Sequence, residues 1–287
     1  MALPRNNIRM EERKLAIVLL DLIGSTSFVQ KYGAARAALH FQVHDRLTRS
    51  MLYKFNGREI DRSDGFLCSF ETPIEAINFA LHYQRSIPKK TGLGCRIGIH
   101  WDTIIEVHQS DVWVAANAKR IELEGLAKNI AARTMSLCGP SQVLLTDQAM
   151  GAVRGRTNYD TPKSARYVFV GSYKFKGVKE PQKIYAVGET IESLQPPKDT
   201  EKARKVKGPR NIKIPFSKLT TQEKIDAIVV KLSLYVFLVL LFVFYRFIST
   251  DLGRDLLGLQ YLSGIDEVNQ VISEFWDAVI SFLKGHT

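Results

Sequence analysis

Two aspartates stand at places in the sequence where a carboxylate can meet a phosphorylated ligand. The first, Asp21, ends the apolar run Leu15–Leu20 and is followed closely by Gly24-Ser25-Thr26. A carboxylate at the end of a strand can bind a divalent cation. A turn that opens a helix presents backbone N–H groups that bind phosphate. This segment therefore predicts a site for a metal ion and a phosphate group.

The second aspartate, Asp64, precedes Gly65 between two strand-like segments, Arg58–Ile60 and Phe66–Phe70. An Asp-Gly pair in this setting is typical of a tight hairpin turn. If the hairpin lies beside the strand that ends at Asp21, the two carboxylates converge. Such a pair with phosphate oxygens is a normal environment for Mg²⁺ or Mn²⁺. Acids at strand ends and hairpin tips are also common for purely structural reasons.

The elements that must position these aspartates alternate between strands and helices. Helical patterns cover 27–55, Pro73–Tyr83 and Leu126–Leu137. Further strand-like runs are Cys95–His100, Ile104–Val107, Val143–Leu145, Tyr167–Val170 and Ile184–Val187. Strands and helices interleaved in this way predict an α+β or α/β domain.

Five segments, in order, resemble the motifs of class III nucleotidyl cyclases. They read LLDLIGSTSF, SDGFLCSFETPIEAINFAL, CRIGIHWDTI, EGLAKNIAARTMSLCGPSQVLLTDQA and YVFVGSYKFKGVKEPQKIYAVG. Their order and spacing match over residues 13–188. The resemblance implies an α+β, ferredoxin-like cyclase catalytic domain that converts a nucleoside triphosphate into a 3′,5′-cyclic nucleotide and diphosphate.

The resemblance also implies which residues meet the metal ions and the phosphates. Asp21 and Asp64 would bind two divalent ions, Mn²⁺ or Mg²⁺, with the backbone carbonyl of Leu22 as a further ligand. The triphosphate would be held by the backbone N–H groups of Ile23, Gly24, Ser25 and Thr26, and its terminal phosphates by Lys176 or Lys174.

Asn129 and Arg133 lie four residues apart, and so share one face of a predicted helix. In the family this pair orients the ribose and stabilises the transition state from the opposite subunit. The resemblance therefore implies a homodimer with shared active sites. Arginine suits the role because its guanidinium stays charged and grips phosphate oxygens in two places. Without the resemblance, the two residues would be interpreted as a helix cap and a solvated cation.

The positions that read the base depart from those of the family's adenylyl cyclases. The lysine position falls on Ile60 and its partner position on Glu122, while Arg62 or Arg58 could donate to a pyrimidine carbonyl. The chain thus looks more like the bacterial pyrimidine cyclases of antiphage defence, which make cyclic UMP or cyclic CMP for a cyclic-nucleotide-responsive effector. An adenylate cyclase that makes cyclic AMP from ATP is the alternative. An inactive cyclase-like domain that senses nucleotides or acts as a scaffold is a further one.

Two further residues within or near the motifs, Asp61 and His100, are assigned no catalytic role. Asp61 is either a further carboxylate at the metal site or an exposed partner of Arg58. The pairing with Arg58 is favoured because Asp64 occupies the motif position. His100 follows Ile97 and Ile99 in a strand, and it is interpreted as a histidine of the core.

The composition limits the classes of partner and of cellular compartment that suit the chain. The chain has 287 residues, of which 45% are hydrophobic, so it is not a wholly disordered protein. Its net charge of +11 suits nucleic acid, an anionic membrane or a phosphorylated substrate. Cys68, Cys95 and Cys138 are too scattered for a disulfide framework or a zinc site, which favours a reducing compartment.

Much of the positive charge lies in one stretch. Residues 196–224 contain nine Lys or Arg and three Asp or Glu. The stretch lacks a nucleic-acid motif, and no nucleic-acid partner is expected. Residues 189–224 are interpreted as a basic juxtamembrane linker, because the segment that follows is almost wholly apolar.

That segment, residues 225–248, predicts a transmembrane helix that is apolar on every face. Lys231 and Arg246 would extend to the headgroups at its two ends. The alternative is a buried or dimerising soluble helix. By the positive-inside rule, the catalytic domain would be cytoplasmic in a single-pass protein of the cell membrane, with the lipid bilayer as a partner.

The two ends of the sequence add less. Residues 1–12 form an N-terminal tail without the apolar core of a signal peptide. Residues 255–284 have a helical apolar period and predict an amphipathic helix that lies on the membrane, dimerises or re-enters the bilayer.

Overall fold

A computed structural model of the chain describes residues 9–63, 65–154, 161–209 and 219–248. Asp64 and the amphipathic helix expected over 255–284 lie outside the described residues. The chain divides into two units, Met1–Pro215 and Phe216–Thr287, which are treated separately.

The first unit is built on one sheet of nine strands. They are β1 (Arg9–Leu22), β2 (Arg58–Arg62), β3 (Gly65–Phe70), β4 (Cys95–His108), β5 (Ile121–Glu124), β6 (Val143–Thr146), β7 (Arg166–Phe175), β8 (Gln182–Gly188) and β9 (Ala203–Lys207). Their order is β2-β3-β1-β4-β6-β8-β7-β9, with β5 paired to β4. The β4–β6 pair is parallel and the other described pairs are antiparallel.

Six α-helices are found among the described residues of this unit. They are α1 (Ser25–Tyr32), α2 (Ala34–Lys54), α3 (Pro73–Thr91), α4 (Asp111–Ala115), α5 (Leu126–Leu137) and α6 (Asp147–Val153). The start of α3 is fixed by a capping box, in which Thr72 and Glu75 satisfy each other's backbone N–H groups. The predicted bounds of α5 are confirmed.

The centre of β1 is buried on both faces of the sheet. Leu15 and Ile17 pack in a cluster with Ala127 and Ala131 of α5. The alternate residues, from Ala16 to Leu22, pack in a second cluster with side chains of α2, α3 and α6. Because consecutive side chains of a strand point to opposite faces, a strand covered on both faces needs an unbroken apolar run.

The strand β4 is continuous, where the sequence predicted two separate strands. The three residues between them, Trp101 to Thr103, stay in register with Ala16 to Lys14 of β1. The interruption in the apolar pattern therefore reflects partial exposure at this point and not a break in the backbone.

Part of the stretch interpreted as a linker folds onto the sheet. Residues 192–194 form a 3₁₀ turn that buries Leu194, and β9 pairs with β7 and buries Ala203. The hydroxyl of Tyr173 also donates to the carbonyl of Pro197. The folded unit thus reaches at least to residue 209, because a few buried side chains suffice to dock an otherwise polar segment.

The second unit contains one described helix, α7 (Thr221–Ile248). Thr220 and Glu223 form a reciprocal cap at its start, four residues before the predicted boundary. Over Thr221–Tyr245 the helix is long and apolar enough to cross a membrane. Its 28 residues span about 42 Å, more than the hydrocarbon thickness of a bilayer.

The close packing of α5 on the sheet is testable at Gly98. A Cβ at this position would lie 2.2 Å from the backbone nitrogen of Met135. We expect Gly98→Ala to lower the free energy of unfolding by about 1–3 kcal/mol, as overpacking does.

Thermal unfolding of the full chain in detergent measures this loss. The matched control is Gly151→Ala in α6, where nothing lies within 4 Å of the added Cβ and a small gain is expected. Equal unfolding temperatures for the two variants would contradict the close contact.

Candidate active site

Asp21 lies near the end of β1, between Gly65 of β3 and Arg96 of β4. Arg96 donates from Nε and Nη2 to the same carboxylate oxygen, Oδ2, over 2.8 and 2.7 Å. The Asp21 side chain is 24% exposed, so its carboxylate is accessible from solvent. Arg96 was not singled out from the sequence, although it belongs to the CRIGIH segment, because only the sheet register shows that it faces Asp21.

The hairpin tip approaches β1 very closely at Gly65. A Cβ there would lie 1.9 Å from the carbonyl oxygen of Leu20, so only glycine fits. The expectation that the hairpin lies beside the strand of Asp21 is thus met by the β1–β3 pairing. Asp64, the residue before Gly65 in the sequence, is outside the described residues.

The turn after Asp21 leads directly into α1. Gly24 has a positive φ of 71° and precedes the first helical residue, Ser25. The N–H groups of Ser25 and Thr26 open the helix, and such groups have no acceptor within it. The N–H of Ile23 instead donates to the carbonyl of Gly94 at 2.9 Å, so the predicted phosphate contact of Ile23 conflicts with this hydrogen bond.

Several of the predicted site residues line one cavity of about 340 Å³. Its walls are formed by Leu22, Ser25, Thr26, Val29, Gln30, Phe41, Arg62 and Ser63. Ser25 and Thr26 at the start of α1 and the end of β2 therefore open onto the same space. Carboxylate and carbonyl oxygens, as offered by Asp21 and Leu22, are the ligand type that Mg²⁺ and Mn²⁺ prefer.

Arg62 is engaged by a buried acid and is not a free donor. Its Nε lies 3.1 and 3.0 Å from the two carboxylate oxygens of Asp45, and its guanidinium stacks over Phe66 at 5.2 Å. Asp45 in turn contacts buried His44, whose pKa burial lowers despite the nearby carboxylate. The predicted base contact of Arg62 would require it to leave Asp45.

The two other predicted base-reading residues lie on β2 and β5, strands that are not paired with each other. Ile60 sits at a bulge in β2 and packs against the cluster beneath α5. Glu122, on β5, accepts a hydrogen bond of 3.4 Å from Gln109.

Asp61 does not pair with Arg58, contrary to the favoured expectation. It forms an ion pair of 2.6 Å with Lys119. Arg58 instead contacts Glu106, which also binds Arg13. The sequence does not show these pairings, because the partners come from distant parts of the chain.

The other half of the predicted site lies on α5 and on the β7–β8 turn. Asn129 is exposed on α5, and the Nε of Arg133 lies 3.5 Å from the carbonyl oxygen of Lys176. The structure thus brings Arg133 and Lys176 together. Among the described residues, no hydrogen bond or ion pair joins either of them to Asp21 within the chain.

A separate cluster of potential metal ligands lies towards the other end of β1. One ligand atom each from Glu11, Glu106 and His108 fall within 4.8 Å of one another. Burial disfavours ionisation of Glu106, but Arg58 and Arg13 outweigh it and hold the pKa of Glu106 below its ordinary value. Two arginines already balance this buried charge. Glu11 is about 33 Å from Asp21 along the strand, so the cluster is not part of the same site.

The fold is shared with solved nucleotide cyclases. The adenylyl cyclase CyaB from P. aeruginosa has a TM-score of 0.54 at 14% identity, over 62% of this chain and 95% of that one. The guanylate cyclase domain of RhGC from Catenaria anguillulae, solved with GTP, has a TM-score of 0.51 at 14% identity, over 62% and 97%. The predicted α+β fold of class III cyclase catalytic domains is thereby confirmed.

A sequence relative adds to this likeness. A protein of Rhizobium meliloti (strain 1021) that carries the name "Putative adenylate cyclase 3" is 23% identical over 196 residues, or 66% of this chain. The chain spans about 30% of the length of that relative. No family model matches the chain.

His100, as expected, belongs to the core, and it makes the stability depend on pH. It is fully buried and its Nδ1 lies 2.8 Å from the hydroxyl of Thr146. Burial lowers its pKa to about 4, although Asp102 opposes the shift. A lowered histidine pKa means that the unfolded chain binds the proton first, so stability is lost as the pH falls from about 6.5 towards 4.

Because the unfolded chain binds this proton first, we expect His100 to lower the free energy of unfolding by about 2 kcal/mol when the pH falls from 7 to 5. Chemical denaturation of the full chain at both values measures the loss, and His100→Gln should shrink it. His40→Gln, on the exposed face of α2, is the matched control. An identical pH profile for His100→Gln and wild type would contradict the assignment.

Proposed function

We propose that the chain is a nucleotidyl cyclase that forms a 3′,5′-cyclic nucleotide and diphosphate from a nucleoside triphosphate. The observation that carries the proposal is the end of β1. There Asp21 is paired beside the hairpin tip and is followed within four residues by the start of a helix. A carboxylate next to free helix N–H groups suits a metal-bound triphosphate, and the surrounding fold is one that solved cyclases share.

The site is proposed to be shared between two subunits. Asp21 and the phosphate-binding turn lie at one end of β1, while Arg133 and Lys176 lie together on α5 and the β7–β8 turn. No described contact closes these halves into one site within the chain. A second copy would supply the missing half, with each pair of copies forming two sites by symmetry.

In this proposal each residue has a defined task. Two divalent ions, held by Asp21, Asp64 and the carbonyl of Leu22, would supply activation of the ribose 3′-hydroxyl and charge neutralisation at the α-phosphate. The N–H groups of Gly24, Ser25 and Thr26 bind the phosphates. Asn129 orients the ribose, and Arg133 stabilises the negative charge that develops during displacement.

We propose a pyrimidine nucleotide, UTP or CTP, as the substrate. The position of the adenine-reading lysine is Ile60, an apolar side chain packed against the sheet cluster, so a donor to adenine is missing there. The donor to a pyrimidine carbonyl would be Arg62 after release from Asp45, or Arg58 after release from Glu106. ATP is the second candidate, favoured by the name of the Rhizobium meliloti relative.

The cellular setting is part of the same proposal. Anchored by α7, the enzyme would present its catalytic unit to the cytoplasm, where a cyclic nucleotide released in antiphage defence would reach a responsive effector. The length and apolar composition of α7 support the anchoring.

Product identification tests the substrate directly. The purified full chain, supplied with ATP, GTP, UTP or CTP and Mn²⁺, should release cyclic UMP or cyclic CMP, as detected by mass spectrometry. Cyclic AMP as the sole product would refute the pyrimidine assignment. Loss of all product formation in Asp64→Ala is expected, because that carboxylate is assigned to the metal ions.

Mixing two inactive variants tests the shared site and separates an enzyme from an inactive sensor. Asp21→Ala and Arg133→Ala should each lose activity, since each removes one half of both sites. Co-expressed, they should restore about a quarter of the wild-type rate, because half of the dimers are mixed and each has one intact site. No recovery in a mixture shown to contain mixed dimers would contradict sharing.

A further inference from the structure

A strongly basic pocket lies beside the β7–β8 turn. Its charged walls are Lys174, Lys176, Lys179, Lys202 and Arg204, with Glu201 as the one acid among its lining residues. Lys202 and Arg204 come from the segment that ends in β9, after the last motif of the cyclase resemblance. None of the five cations has a carboxylate within 4.0 Å among the residues described, so their charges are not compensated locally.

The pairing of β9 with β7 builds this pocket at an energetic cost. Lys174 is directly opposite Arg204 in the antiparallel pair. Like charges in such positions repel and destabilise a sheet. The Nζ of Lys174 turns to the carbonyl of Lys179, and the N–H of Lys176 donates to the carbonyl of Lys202 at 2.9 Å. The backbone therefore fixes the cations close together, and an anion between them would relieve the repulsion.

We propose that β9 and the residue before it add Arg204 and Lys202 to a binding pocket for the phosphate chain of the nucleotide substrate or of the diphosphate product. The pocket adjoins Arg133, whose Nε contacts the carbonyl of Lys176, so it continues the surface assigned to the triphosphate. This inference rests on the proposed function for the identity of the ligand. The pocket itself rests on the strand pairing alone.

Lys and Arg side chains recognise the same chemistry in a free oligophosphate and in an anionic lipid headgroup. The phosphate chain is favoured because the pocket and Arg133 meet on one hairpin turn. The experiment keeps the two sources apart by changing the lipid while the soluble probe stays the same.

The test measures binding of inorganic tripolyphosphate to the full chain in phosphatidylcholine nanodiscs by calorimetry. Arg204→Glu places a carboxylate opposite Lys174, which should raise the unfolding temperature. The same variant should weaken tripolyphosphate binding about tenfold, the effect of losing one charge-assisted contact. Lys207→Glu makes the same charge change on β9 opposite Ser172, outside the pocket, and should leave binding unchanged.

The outcomes separate the pocket from the reaction. Equal affinities for wild type and Arg204→Glu would overturn the pocket. Binding that depends on Arg204 in a chain that makes no cyclic nucleotide would uphold the pocket and reject the proposed function. In nanodiscs that contain phosphatidylserine, the lipid would compete with tripolyphosphate if the pocket binds headgroups. Weaker tripolyphosphate binding in wild type, with a smaller effect in Arg204→Glu, would assign the pocket to lipid and overturn the phosphate-chain assignment. In an active enzyme, Arg204→Glu should raise the KM for the nucleotide about tenfold and change kcat little.

Discussion

The register of β1 between β3 and β4 decides where the functional side chains lie. A slip of one residue would exchange the two faces of β1 and move Leu15 and Ile17 away from α5. Such a slip is opposed by burial on both faces, and by the contact of Gly65 with the carbonyl of Leu20, which admits no side chain. With the register fixed, Asp21 meets Arg96, and the turn that leads into α1 begins at the edge of the core. The site therefore takes its geometry from the packing of apolar residues.

The charged residues around this frame are arranged in local pairs. Arg96 neutralises Asp21, Arg62 neutralises Asp45, and Arg58 with Arg13 neutralises the buried carboxylate of Glu106. Buried or half-buried charges need such partners because desolvation is costly. Against this background the uncompensated cations of the β7–β8 turn and β9 stand apart. The paired charges are neutralised within the chain, whereas the cations of the pocket remain available to an anion.

The sequence predicted the elements that have strong local patterns. The apolar run of β1, the hairpin around Gly65 and the periodic helix α5 were placed correctly, because burial on one or two faces leaves a readable pattern. The predicted N-terminal tail was wrong for residues 9–12, which form the start of β1 and have no such apolar pattern. It missed β5, α4 and β9, which are short and owe their structure to neighbours far along the chain. The partners of Arg62 and Asp61 were missed for the same reason. Asp45 and Lys119 come close to β2 only after folding, and residue spacing does not encode such contacts.

The long apolar helix α7 also bears on how two copies would find each other. If α7 anchors the chain as proposed, the chains diffuse in two dimensions and their first units are confined to a thin layer. This confinement raises their effective concentration far above that of the same number of molecules in free solution. For the membrane-anchored cyclase proposed above, a weak interface between copies would then be enough for pairing, and the density of chains in the membrane would set the rate of product formation without any change in the active site.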